Sequence, residues 1–198
     1  MAIKEVYKGI LAIAASDRKV WRKWLEKNHA KEEKVWLILF RQSGETPSVT
    51  YPEAVEEALC FGWIDSVKNT RDAKSAYQYF AKRKPKSVWS KSNRERVEKL
   101  IAAGQMTESG MALIELAKKT GTWEALVEVE QNIIPEDLQI ALQKNKKAQK
   151  YFTAFPPSSR RIILEWIRQA KKQETRKKRI AETVRLAAKN IRANHYRQ

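Results

Sequence analysis

A chain of 198 residues with 42% hydrophobic content and seven tryptophans suits one large domain or two small ones and is too apolar for global disorder. No apolar run approaches the ~20 residues needed to cross a bilayer, and one cysteine excludes an internal disulfide. The formal charge of +17 calls for an anionic partner, or for lysine-rich faces that serve only solubility.

The N-terminal stretch has a leader-like look, but its apolar part is short and Glu5 interrupts it. It is therefore read as mature sequence of a cytoplasmic protein. Residues 9–15 are a short apolar run that suits a first strand. Ser16 is placed to cap an amphipathic helix over 17–28, in which Val20, Trp21, Trp24 and Leu25 recur at helical spacing. Residues 35–40, Val-Trp-Leu-Ile-Leu-Phe, are the clearest strand in the chain. They are continuous, β-branched and aromatic, which predicts a central strand buried on both faces. A polar loop over 42–48 follows.

Residues 50–63 organise the rest. Thr50 and Glu53 have capping-box spacing, Pro52 suits a first helical turn, and Ala54, Val55, Ala58, Leu59 and Phe61 make an apolar face. Gly62 is placed to stop the helix, and a strand over 63–68 begins at once. A charged connection leads to a second strand over 76–81, pairing back on the first. After the basic loop 82–87, Ser92 and Glu95 form a second capping-box pattern for a helix closed by Gly104.

Beyond residue 104 every apolar pattern has helical period. Thr107, with Met106 and Met111 as a staple, opens a helix to about residue 119. Residues 123–134 read as loop with a helical turn. Further helices are expected from Pro135, from Asn145 to Phe155, from Ser158 as cap, and over about 174–193 with Ile180, Val184, Ala187 and Ile191 as the buried stripe. The expectation is an α+β fold: a small antiparallel or mixed sheet with helices in an N-terminal domain over 1–104, then an all-helical basic region over 105–198. The charge is divided accordingly. Residues 66–100 hold eleven Lys/Arg against three Asp/Glu and residues 151–198 hold thirteen against three, while the remainder is close to balance.

The run from Tyr51 through Glu53, Cys60, Gly62 and Trp63 to Asp65 and Ser66 resembles the signature of the YdeI/OmpD-associated family, linked by name to bacteriocin protection. Further matching residues are Trp24 and Leu25 before Asn28 and His29, then Pro85, Lys86 and Ser87 with Trp89, Ser90 and Asn93. In the tail they are Trp166 and Ile167, Ala170 to Lys172, Glu174 to Arg176, and Arg179 with Ile180. The family's Arg-Phe-Thr-Pro-Arg run is replaced here by Tyr79, Phe80, Ala81, Lys82 and Arg83. The resemblance implies a protein associated with resistance to bacteriocins or cationic peptides, and it supplies no reaction.

Residue chemistry alone supports little catalysis. Cys60 lacks a base other than His29, since His195 lies in the tail, and it reads better as a small buried hydrophobe. One cysteine and two histidines are too few for a common zinc site, and no phosphate-binding glycine loop is present, so neither metal nor cofactor is expected. Asp65, Ser66, Lys86, Ser87, Trp89 and Ser90 form the candidate ligand site, a polar pocket with an aromatic wall suited to an anionic or hydrogen-bonding ligand. The structural alternative has Asp65 capping a neighbouring turn with Lys86 paired to it, and an enzymatic alternative uses Asp65 as base and Lys86 as anion holder. Lys82, Arg83 and Lys84, with Arg176, Lys177, Lys178 and Arg179, form the candidate patch for an acidic protein or anionic partner. Interleaved rings such as Tyr77, Tyr79, Trp89 and Trp166 add nonspecific nucleic-acid binding as a further alternative.

Overall fold

The computed structural model describes residues 4–41 and 44–194, and the chain divides into two compact units, 1–124 and 125–198. Part of the expected 42–48 loop, and His195, therefore lie outside the described residues.

The first unit holds a five-stranded sheet made of β1 (Lys4–Tyr7), β2 (Ile10–Ala14), β3 (Lys34–Phe40), β4 (Trp63–Thr70) and β5 (Ser75–Lys82), in the order β1-β2-β3-β5-β4. Only the β2–β3 pair is parallel, so the sheet is mixed. β3 lies in the middle, as its composition predicts. Val35 and Leu37 face one core while Trp36 and Ile38 face another. β1 was not expected: Lys8 and Gly9 both adopt positive φ, which makes the two-residue primed turn that joins antiparallel strands. Lysine at such a turn is an unusual signal, and the leader-like appearance of the segment masks it.

Four helices cover the first face: α1 (Arg18–Asn28), α2 (Tyr51–Cys60), α3 (Lys91–Ala102) and α4 (Glu108–Lys119). They bury Trp21, Leu25, Leu59, Val97 and Ile114 against Val35, Leu37, Trp63 and Phe80. On the other face the sheet coils enough for Tyr7 of β1 to stack on Tyr77 of β5 at 3.9 Å, although two strands separate them in the sheet order. Glu5 accepts from the Tyr77 hydroxyl at 2.5 Å and from Arg71 at 2.9 and 3.0 Å, which ties the coiled edge down.

α2 forms as its sequence predicts. The Thr50 amide donates to Glu53 at 2.9 Å, the Glu53 amide donates to Thr50 Oγ1 at 3.4 Å, and Gly62 takes φ +75°. Two other caps differ from the spacing argument. Asp17 rather than Ser16 caps α1, accepting from the Val20 amide at 2.9 Å, because a carboxylate is the stronger acceptor and Ser16 donates to it. Ser90 rather than Ser92 caps α3. Its extended backbone continues from the buried Trp89, so the helix starts at Lys91.

Among its described residues the second unit has helices and no strand: α5 (Val127–Glu130), α6 (Glu136–Gln143), α7 (Lys146–Ala154), α8 (Pro157–Arg168) and α9 (Gln173–Ala187). Residues 123–131 form no strand, in line with expectation. α8 begins at Pro157 with Ser158 already inside its first turn, because proline suits that position and needs no donor. α9 stops at Ala187, short of the expected 193, and Asn190 at φ +60° turns the chain. Leu138, Phe152, Ile163, Ile167, Ile180 and Ala187 meet in this unit's own core. The architecture is α+β with a mixed sheet in the first unit and helices alone in the second. Among the described residues no helix is long and apolar enough to cross a membrane.

Candidate functional site

The corner where α2 begins, β4 starts and β5 ends assembles a polar chain of contacts. Tyr51, in the first turn of α2, points its hydroxyl at Asp65 on β4 and donates to it at 2.7 Å. Burial and then the Asp65 carboxylate push the Tyr51 hydroxyl up to about 12, so it remains a donor. Arg83, only 6% exposed, is placed by the hydrogen bond that its amide donates to the Gly62 carbonyl at 2.9 Å. Its guanidinium sits 3.7 Å from the centre of the Trp89 ring and donates to the Val88 carbonyl at 2.6 Å. Arg83 Nε is buried without a hydrogen-bond partner. Burial pulls the Arg83 pKa down to about 10, and Asp65 acts against that fall. A buried cation held mainly by a π face, with a spare donor, is the local arrangement that an anion satisfies.

Trp89 is 2% exposed, packs 5.0 Å from Trp123 and donates its amide to the Thr122 carbonyl. Arg96 of α3 contributes positive potential at Tyr51 and donates to Asn93 at 3.2 Å. Beside Tyr51 a cleft of about 390 Å³ opens between the start of α2 and the β4–β5 hairpin, bordered by Val49, Arg41, Lys68 and Thr70.

Of the six residues singled out from sequence, Trp89 packs against Arg83, Asp65 accepts from Tyr51 and acts on Arg83 only through its charge, and Ser90 serves as the α3 cap. Ser66 is exposed where the β4–β5 register slips. Ser87 closes a turn on the Lys84 carbonyl, and Lys86 is exposed, with no ion pair to Asp65 among the described residues. Tyr51 and the buried placement of Arg83 were missed. Tyr51 carries two sequence signals, its place at the start of the organising helix and in the signature run, and Arg83 reads in sequence as one cation of a surface run.

The basic runs are less uniform than their composition. Lys82 pairs with Glu33 at 2.6 Å, Arg83 is buried, and Lys84 is exposed. Arg176 makes a forked pair with Asp137 at 2.6 and 2.8 Å. Lys178 pairs with Glu174, Arg179 lies over the Trp166 ring and donates to the Trp166 carbonyl, and Lys177 is exposed.

Cys60 is fully buried, and its thiol is pushed up to about 11, first by burial and then by Glu57. A thiol so protonated is a poor nucleophile. His29 is engaged elsewhere, with Nδ1 at 2.9 Å from the Leu25 carbonyl and Nε2 at 3.2 Å from Ser109 Oγ. Since the carbonyl can only accept, Nδ1 carries the proton. Glu57, 2% exposed, binds Arg18 at 2.5 Å and Arg22 at 2.7 Å and so locks α1 onto α2. Among the described residues no group of three His, Cys, Asp or Glu side chains is arranged to hold a metal.

Comparison with known families divides the chain along similar lines. Residues 13–113, just over half of the chain, match the model of a domain of unknown function (DUF8412), and residues 132–190 match that of the family described as bacteriocin-protection, YdeI or OmpD-associated. The chain belongs to the DUF8412 family, and its helical tail is similar to the YdeI/OmpD-associated family. The YdeI/OmpD-associated match covers the tail residues Trp166 to Ile180, whereas the Tyr51–Ser66 run lies within the DUF8412 match. No curated protein and no solved structure matches the chain.

Proposed function

We propose that this protein is a non-enzymatic, cytoplasmic resistance protein whose first unit binds a small anionic ligand at the Tyr51–Asp65–Arg83–Trp89 corner. The observation that carries the reading is Arg83, buried against Trp89 with an unpartnered Nε, while the carboxylate whose charge acts on it is already engaged by Tyr51. A buried unmatched donor costs stability in a purely structural cluster, and an entering anion offsets that cost. The cleft that Tyr51 borders, which also carries Arg41, Lys68 and Asp72, opens at the Tyr51 end of this corner. The description of the family that residues 132–190 match, bacteriocin protection, supports a role in resistance.

The test is a thermal-shift screen of phosphate, citrate and a library of small carboxylates and phosphate esters against the full chain. A hit is expected to raise Tm in a saturable way, and Arg83→Met is expected to abolish that shift. Arg83→Met itself should change unfolding stability by no more than about 1 kcal/mol, because a long apolar chain replaces an incompletely paired buried ion. Anions that stabilise Arg83→Met as well as the parent chain would sink the proposal. Turnover of a hit that disappears in Asp65→Asn would replace the binding role with an enzymatic one.

A further inference from the structure

The second unit carries a different depression, and its chemistry is opposite to that of the charged corner. A cavity of about 420 Å³ lies between α6 and α7, bounded at one end by the segment entering Pro135. Gln139 of α6 and Gln149 and Thr153 of α7 stand along its walls. Asn132 closes the end, and Ile134 and Leu142 supply its apolar lining. Not one lining residue is charged, in a chain whose residues are 32% charged. Gln149 and Thr153 are one helical turn apart and share a face of α7. Asn132 sits at φ +56°, a conformation asparagine tolerates, and its Oδ1 is buried without a hydrogen-bond partner. Rotation of the carboxamide exchanges its donor and acceptor ends in the same space.

This composition excludes most ligand classes on physical grounds. An anion finds no cation among the lining residues, and a metal ion finds no carboxylate, imidazole or thiolate. A sugar ring or nucleobase finds no aromatic face to stack on. Three carboxamides and a hydroxyl offer neutral donors and acceptors together, which is the complement of a peptide main chain, and the isoleucine and leucine beside them accept one apolar side chain. We propose that the α6–α7 cavity is a binding site for an extended, uncharged peptide segment bearing an apolar side chain, independent of the anion site in the first unit.

The probe is N-acetyl-leucine N-methylamide, titrated into the full-length isotope-labelled chain and followed by NMR. The expected result is a saturable shift of the side-chain amide signals of Asn132, Gln139 and Gln149. The analogous aspartate amide, adenosine and glucose should leave them unmoved. Asn132→Gly keeps the left-handed backbone accessible while deleting the carboxamide, and it should weaken the probe about tenfold. Gln149→Ala, on an exposed helical face, should do the same with Tm unchanged, which separates lost binding from lost folding. Probe shifts that fail to saturate, or an affinity untouched by both substitutions, would overturn the site. So would a stronger response to adenosine, glucose or the aspartate amide. None of these outcomes depends on Arg83.

Discussion

At the scale of single residues, the chain places its most constrained atoms where helices meet. Gly110 in α4 lies against the last turn of α2. A Cβ there would overlap the Cys60 carbonyl oxygen and stand 2.9 Å from its carbon and 2.8 Å from Met106 Cε. Met106 can swing aside, but the backbone of Cys60 cannot, since Thr107 holds that same carbonyl through its amide at 3.1 Å and its hydroxyl at 2.6 Å. Gly110→Ala should therefore destabilise the first unit by about 3 kcal/mol, as forced overpacking does, in a urea titration followed by tryptophan fluorescence. A loss within experimental error would show that α4 shifts freely on α2. Arg83 belongs to this scale too: its neighbours in sequence, Lys82 and Lys84, are partly or fully exposed, and only Trp89 and Asp65 make it a different kind of residue.

At the scale of elements, caps and ion pairs set the ends of the helices. Both halves of the α2 capping box are formed, so Thr50→Ala should cost about 1 kcal/mol in the same titration. It should also loosen Tyr51, one residue into the helix, and weaken any ligand of the corner. In the second unit the forked pair between Asp137 at the start of α6 and Arg176 on α9 holds the Asp137 carboxyl below its ordinary range, with Arg176 as the largest cause. A carboxyl whose pKa is depressed by folding contributes stability that is complete above its unfolded pKa, near 4, and is lost as pH falls through the folded value. Melting curves from about pH 6 to about pH 3 should therefore show a smaller acid-induced fall in Tm for Asp137→Asn than for the parent chain. Equal slopes would assign the acid sensitivity elsewhere. Glu5, Asp17 and Glu53 are depressed in the same direction by their own hydrogen bonds and add to the loss over the same window.

For the whole molecule, the charge of +17 governs encounters more than folding. The basic runs contribute fewer free cations than their sequence suggests, because Arg83, Arg176 and Arg179 are committed to internal contacts. Nucleic acid, if bound at all, should accordingly bind weakly and without sequence preference, through phosphate contacts alone. Its affinity should fall by orders of magnitude between about 50 and 200 mM salt in a fluorescence-anisotropy titration. Tight binding retained at the higher salt, or discrimination between sequences, would require an organised base-reading surface that these runs do not form.

The sequence by itself determined the class of fold and most of its elements, because the signals involved are short in range. A continuous β-branched and aromatic run marks β3, a residue and its third neighbour make the α2 cap, and Gly62 ends that helix by the freedom of one backbone. Tertiary structure alone decided what surrounds each charge. Arg83, Arg176 and Glu57 look in sequence like solvated residues, yet each is withdrawn from water by partners brought from other elements. Glu5 meets Arg71 and Tyr77 only because the sheet coils, a consequence of strand twist summed over several pairings. The uncharged cavity between α6 and α7 is likewise invisible in composition, because its carboxamides come from a turn and two separate helices that meet only after packing. Local propensity is set by neighbours along the chain. The environment of a charge or a cavity is set by neighbours in space, and register and helix packing choose those.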